Sequence, residues 1–224
     1  MTQFQQLLER SSSARQEFME LPLIQETLRR GAEKSVYLDF LGQAYHHVKH
    51  TAPLLALAAS RCGPDDGAYQ AELFEYINEE RGHEEWILDD INALGADAQA
   101  VRRGPPRLPC KIMVAYAYYL IERVSPYGLL GMVHVLEGMS VTLAGRAATA
   151  IRGNLRIVSE AGFKYLTTHS DLDSEHTKRF EILLNGIEPQ HLPLVIESAC
   201  DFYSLYGAIF RDIDTRCRID AYAA

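Results

Sequence analysis

An all-α bundle forming a single domain, residues 1–224, is the fold this sequence predicts. Three observations carry that reading. No segment alternates apolar and polar residues with period two between turn residues. Apolar residues recur instead at helical spacing: Tyr37, Leu41, Ala44, Val48, Thr51, Leu55 and Ala58 form one seam, and Leu194, Ala199, Phe202, Leu205, Ile209 and Ile213 another. Breakers punctuate the chain at Gly63-Pro64-Asp65-Asp66-Gly67, Gly104-Pro105-Pro106, Ser125-Pro126, Gly153-Asn154 and Gly186 to Pro189. Helices are therefore expected near residues 14–31, 34–62, 67–95, 108–123, 126–151, 157–186 (with a break near 167) and 189–219. Short connections between long amphipathic helices are the mark of a bundle.

Composition narrows the function. A net charge of −8 with no Lys/Arg block speaks against nucleic acid as a partner. The first thirty residues hold no signal-peptide core, and the nearly apolar stretch from Ala52 to Ala59 is too short to span a bilayer, so no membrane association is expected. Cys62, Cys110, Cys200 and Cys217 are scattered with no C-x-x-C pair. They read as buried reduced thiols, which fits a cytoplasmic protein.

The chemistry concentrates in three segments. His169-Ser170-Asp171-Leu172-Asp173-Ser174-Glu175-His176 spells H-x-x-x-D-x-x-H. At about 100° per residue, His169, Asp173 and His176 fall on one helical stripe. Phe180, Leu183 and Leu184 continue that stripe and face the core, while Asp171, Glu175, Lys178 and Arg179 fall elsewhere. Ionisable groups on a core-facing stripe are costly unless paired or bound to metal.

Glu80 and His83 form E-x-x-H, the spacing that carboxylate-bridged di-iron bundles use. Glu79 is an alternative first carboxylate, Tyr76 lies on the same stripe, and a solvated acidic face is the bland reading of the motif alone. Glu84 and Glu85 read as surface acids. Glu137 is the only acid between Glu122 and Glu160, among Leu130, Val133, Val141 and Ala144, where a lone carboxylate needs a partner. Gly131, Gly138 and Gly145 recur every seven residues there, implying close helix approach or room for a ligand. Together Glu80, His83, Glu137, His169, Asp173 and His176 supply three carboxylates and three imidazoles. That set suits Fe(II) or Mn(II), with Zn(II) also compatible, and six ligands suit two metals better than one.

The order E-x-x-H, a lone Glu, then H-x-x-x-D-x-x-H resembles the heme-oxygenase-like di-iron oxidases and oxygenases, the iron-containing redox group. Tyr45 to Leu55, Glu79 to Ile91 and Ser125 to Met132 through Glu137-Gly138 carry the same likeness. It implies a heme-oxygenase-like bundle of about seven helices, often dimeric, holding two irons through those six residues. The resemblance implies O2 activation and oxidation of an amino acid, amine or fatty acid type of small molecule. Glu80 and Glu137 are the expected catalytic carboxylates. Tyr76 stands where some members carry the first carboxylate, so one iron site is expected to be labile.

Tyr45, His46, His50 and Tyr76 are candidate substrate-binding residues. Tyr116, Tyr118, Tyr119 and Tyr127 are candidates for an aromatic wall, and Lys49 and Arg123 for holding a substrate carboxylate. The alternative is a metal-independent cofactor-biosynthesis enzyme, similar to TenA or pyrroloquinoline-quinone synthase, or a small-molecule binder of the same fold. Thiaminase-type members use a helix-five cysteine that this chain lacks. A haem reading would cast His46, His47 or His50 as the axial ligand.

Overall fold

The structure, a computed structural model, describes the backbone of residues 1–223 and the side chains of these except 169–176 and 220–223. The regular structure of the described backbone is all helical, with no strand among the described residues. Three short helices open the chain: α1 (Gln3–Arg10), α2 (Ser12–Met19) and α3 (Pro22–Arg30). They are followed by α4 (Lys34–Val48), α5 (Thr51–Ser60), α6 (Gly67–Glu80), α7 (His83–Ala93) and α8 (Ala98–Arg103). α9 (Leu108–Tyr119) runs into a π-helical turn at Leu120–Val124 and a 3-10 turn at Pro126–Gly128. The long helices α10 (Leu129–Leu155), α11 (Lys164–Gly186) and α12 (Leu192–Ala223) complete the bundle.

Several predicted helices divide, each for a local reason. The segment expected near 14–31 becomes α2 and α3, because Pro22 opens a helix and cannot continue one. The helix expected over 34–62 breaks at Lys49-His50, and Pro53 then sits in the first turn of α5, where its missing N–H costs nothing. The helix expected over 67–95 breaks at Gly82, which has φ 97°. Residues 157–163 are not helical; Gly162, at φ 93°, precedes α11, which then runs unbroken past 167. α1 and α8 were not foreseen. α1 carries a capping box of Thr2 and Gln5, and Asp97 caps α8 through Gln99 N and Ala100 N.

α10 organises the interior. Together with the 3-10 turn before it, residues 126–155, it includes a window with a mean hydropathy of 1.3, long and apolar enough to cross a membrane, yet half of that window is buried. One core cluster gathers Leu54, Leu73, Met113, Leu130, Val135, Phe180, Val195 and Phe202. A second gathers Tyr37, Leu41, Ile87, Ile91, Ala148, Ile151 and Phe163. Gly131 brings α10 against α12: a Cβ there would lie 2.5 Å from Ala199 N and 2.7 Å from the Ser198 carbonyl carbon. Buried Asp90 on α7 accepts from Lys164 N at 2.9 Å and Tyr165 N at 2.8 Å, so it caps the start of α11.

Candidate metal centre and cavity

The predicted E-x-x-H motif does not lie on one continuous helix. α6 ends at Glu80 and α7 begins at His83, with the left-handed Gly82 between them. The pair meets because glycine turns the chain at a φ that side chains resist, rather than through the helical repeat. His83 Nδ1 lies 3.1 Å from Glu80 Oε2, and both side chains are buried. An Nδ1–H donating to Glu80 fixes the tautomer and orientation of the ring, the way carboxylates orient metal-binding imidazoles. Trp86 stacks on the His83 ring with centroids 4.0 Å apart.

Glu79, the alternative carboxylate, has other work. Arg179 pairs with it and, at 3.0 Å, with Glu72, and its guanidinium lies 5.5 Å from the Tyr76 ring centroid. Glu80, unlike Glu79, lines a cavity of about 170 Å³ enclosed by helices α2 to α6 and α10 to α12. The polar part of that cavity includes Thr27, His47, Thr51, Tyr76, Glu80, Glu137, Ser140 and Tyr165. The remainder is almost wholly apolar, including Leu54, Leu55, Met132, Val133, Leu136, Leu143, Ala147, Ile151 and Phe210. Burial, and then the charge of Glu137, raise the Tyr76 phenol far above its ordinary range, so it stays protonated.

The structure thus places Tyr76, Glu80 and Glu137 on one cavity, with His83 against Glu80. His169, Asp173 and His176 lie outside the described side chains. Among the described residues no three His, Cys, Asp or Glu side chains cluster as a metal group. The described donors still fit iron: they are oxygen and nitrogen ligands, desolvated at the edge of a cavity.

Tyr45, His46 and His50 are not among the cavity-lining residues. Lys49 Nζ lies 3.3 Å from His46 Nδ1 and 5.1 Å from the Tyr45 ring centroid, and His50 Nδ1 lies 3.0 Å from Tyr118 Oη. Burial, then Lys49 and His50, push His46 down to about 4. Tyr116 bonds Asp201, and Tyr127 donates to Asp66 at 2.7 Å. The aromatic wall comes instead from Phe18, Tyr37, Phe40, Tyr165, Tyr206 and Phe210. His47, which sequence reading considered only as a haem ligand, sits beside Val48 on the α4 seam; its place next to that seam was the available signal. Arg123 is exposed and Lys49 is engaged elsewhere, so neither lines the cavity.

Residues 38–207 match the profile of the iron-containing redox enzyme family, and the chain belongs to that family. Solved structures share its heme oxygenase-like fold. A domain of unknown function from Shewanella denitrificans is 24% identical over 99% of this chain and 96% of that one, with a TM-score of 0.88. A TenA homologue from Pseudomonas syringae is 13% identical over 94% of this chain and 92% of its own, with a TM-score of 0.79. Heme oxygenase-1 from the cyanobacterium Synechocystis, solved in complex with heme, is 11% identical over 100% of this chain and 99% of its own, with a TM-score of 0.76. No curated protein matches the chain.

Proposed function

We propose that this protein is a non-haem di-iron oxidase or oxygenase that uses O2 to oxidise a small molecule with a largely aliphatic body. The observation that carries the reading is the buried Glu80–His83 pair, with Glu80 and Glu137 lining one largely apolar cavity. Glu80, His83, Glu137, His169, Asp173 and His176 would hold iron, which when bound supplies the O2 chemistry that side chains lack. Manganese is the second candidate metal by the same donor set.

The chain's own residues bind and orient. Glu80 fixes the His83 ring, and Tyr76, a protonated phenol beside Glu137, can donate to a substrate oxygen. The apolar wall excludes water and favours an alkyl body over a polar amino acid, since each buried methylene contributes about 0.8 kcal/mol. A cytoplasmic homodimer remains part of the proposal, with the small molecule and O2 as its partners.

Elemental analysis of protein expressed with added iron tests the centre. Close to two irons per chain are expected, or one where the second is labile, with a marked fall in His83→Ala and His169→Ala. Unchanged stoichiometry in both variants would remove the assignment. Anaerobic Fe(II) loading followed by O2 should give a transient near-ultraviolet or visible absorption. Iron binding without any optical change on O2 addition would favour the alternative, a metal-independent enzyme or binder like the TenA homologues of the same fold. No cysteine lines the cavity, which counts against a thiaminase-type nucleophile there.

A further inference from the structure

α10 has cavities on both sides. Leu136, Ser140, Leu143 and Ala147 face the main cavity, whereas His134, Gly138, Val141 and Thr142 face a second chamber of about 340 Å³. Phe4, Leu8 and Phe180 supply its apolar walls, and Glu137 and Met139 edge both spaces. A Cβ at Gly138 would meet nothing within 4 Å, so the chamber is open at the helix backbone itself.

Two polar side chains that line it have unmet bonding capacity. His134 is 7% exposed and Tyr203 is 2% exposed, and neither His134 Nε2 nor Tyr203 Oη has a hydrogen-bond partner among the described residues. Buried polar groups left this way are costly, and a bound molecule that accepts from them recovers that cost. Burial keeps both neutral, His134 pushed down to about 4 and Tyr203 up to about 12, so the Tyr203 phenol donates and His134 donates in its Nε2–H tautomer. The cation is Arg15, which lies near enough to act on both groups. Its Nη2 lies 3.5 Å from Thr142 Oγ1. Glu137, which also lines the chamber, stands between His134 and Thr142 along α10, so the Arg15 charge must offset it for an anion to bind.

We propose that this chamber is a second ligand site, distinct from the main cavity, that takes a small monocarboxylate. Its carboxylate pairs with Arg15 and accepts from Tyr203 and His134, and its apolar body packs on Phe4, Leu8 and Phe180. Bidentate guanidinium pairing explains a preference for a carboxylate over a neutral analogue.

Benzoate, with benzyl alcohol as its neutral counterpart, is the probe. Calorimetric titration of the full-length protein should show benzoate binding at least tenfold tighter than benzyl alcohol. Arg15→Gln and Tyr203→Phe should each weaken benzoate at least tenfold, and Gly138→Phe, which fills the chamber, should abolish it. Ala147→Phe, which fills the main cavity, should leave it unchanged. Circular dichroism identifies any variant that fails to fold, and Arg15→Gln at the exposed rim keeps the test decisive. Equal binding of the alcohol, insensitivity to Arg15→Gln, or loss in Ala147→Phe alone would overturn the proposal. These readouts need no iron, so they stand or fall separately from the metal assignment.

Discussion

His46 shows how a buried imidazole becomes a pH liability without lining the cavity. Lys49 donates toward Nδ1 at 3.3 Å, which requires the neutral ring, and burial with the Lys49 charge holds the group near 4 against an ordinary 6.5. The folded state therefore disfavours the proton more than the unfolded chain does. Its contribution to stability is fully present above pH 6.5 and is lost as pH falls from there toward 4. Urea midpoints measured between pH 7.5 and 4 should fall less steeply for His46→Gln than for the parent protein. Lys49→Met, which removes the charge that disfavours the proton, should likewise flatten the fall; parallel pH profiles in all three proteins would show that His46 does not titrate this way. At this scale the sequence showed which residue types carry chemistry but not which member of a pair is engaged. Glu79 and Glu80 are adjacent and identical in kind, and only the position of Arg179, about a hundred residues away, separates them.

Helices are where sequence patterns succeeded in type and failed in continuity. Period 3.6 marked most of the helices, though not α1 or α8, and wrongly extended one over 157–163; Gly82 and Pro53 each break a pattern that looks unbroken, because periodicity averages over a single left-handed residue or a missing N–H. The heptad of glycines on α10 was legible as either close packing or space, and the structure assigns the two roles to different positions. Gly131→Ala should destabilise by about 1–3 kcal/mol, since its methyl would meet α12 backbone that cannot rotate away. Gly138→Ala should be neutral or stabilising by up to about 1 kcal/mol, having open space and a better helix former. Equal thermal shifts in the two variants would contradict this division. Asp90 joins two elements of the candidate centre, tying α7, which begins at His83, to the start of α11. Asp90→Ala leaves two amides without their acceptor and should cost about 2 kcal/mol. Iron content should fall alongside thermal stability, with Asp90→Asn intermediate; full iron retention in Asp90→Ala would mean that α11 is placed by packing alone.

The whole molecule is an all-α heme oxygenase-like bundle whose interior holds an apolar cavity with a polar edge. Amphipathic seams and breakers made the bundle readable, but the cavity was not, because a residue lining an empty volume has the same apolar identity as one filling a core. Leu143 and Ala147, which line the cavity, differ from Ala148, which packs in the core, in sequence only by helical phase. The cavity's dimensions nevertheless impose a testable length rule on whatever binds there. Linear primary alcohols serve as neutral probes, since they lack the carboxylate that the second chamber would select. Each methylene that enters apolar surroundings contributes about 0.8 kcal/mol, about a fourfold gain in affinity, until the chain outgrows the space. Ligand binding to the folded state raises the melting temperature in proportion to the logarithm of that affinity, so a series from butanol upward should give rising shifts and then a plateau. Ala147→Phe projects a ring into the cavity and should move the plateau to shorter alcohols while leaving iron stoichiometry intact. A melting shift independent of chain length, or the same plateau in Ala147→Phe, would show that the cavity is not where an aliphatic substrate is held.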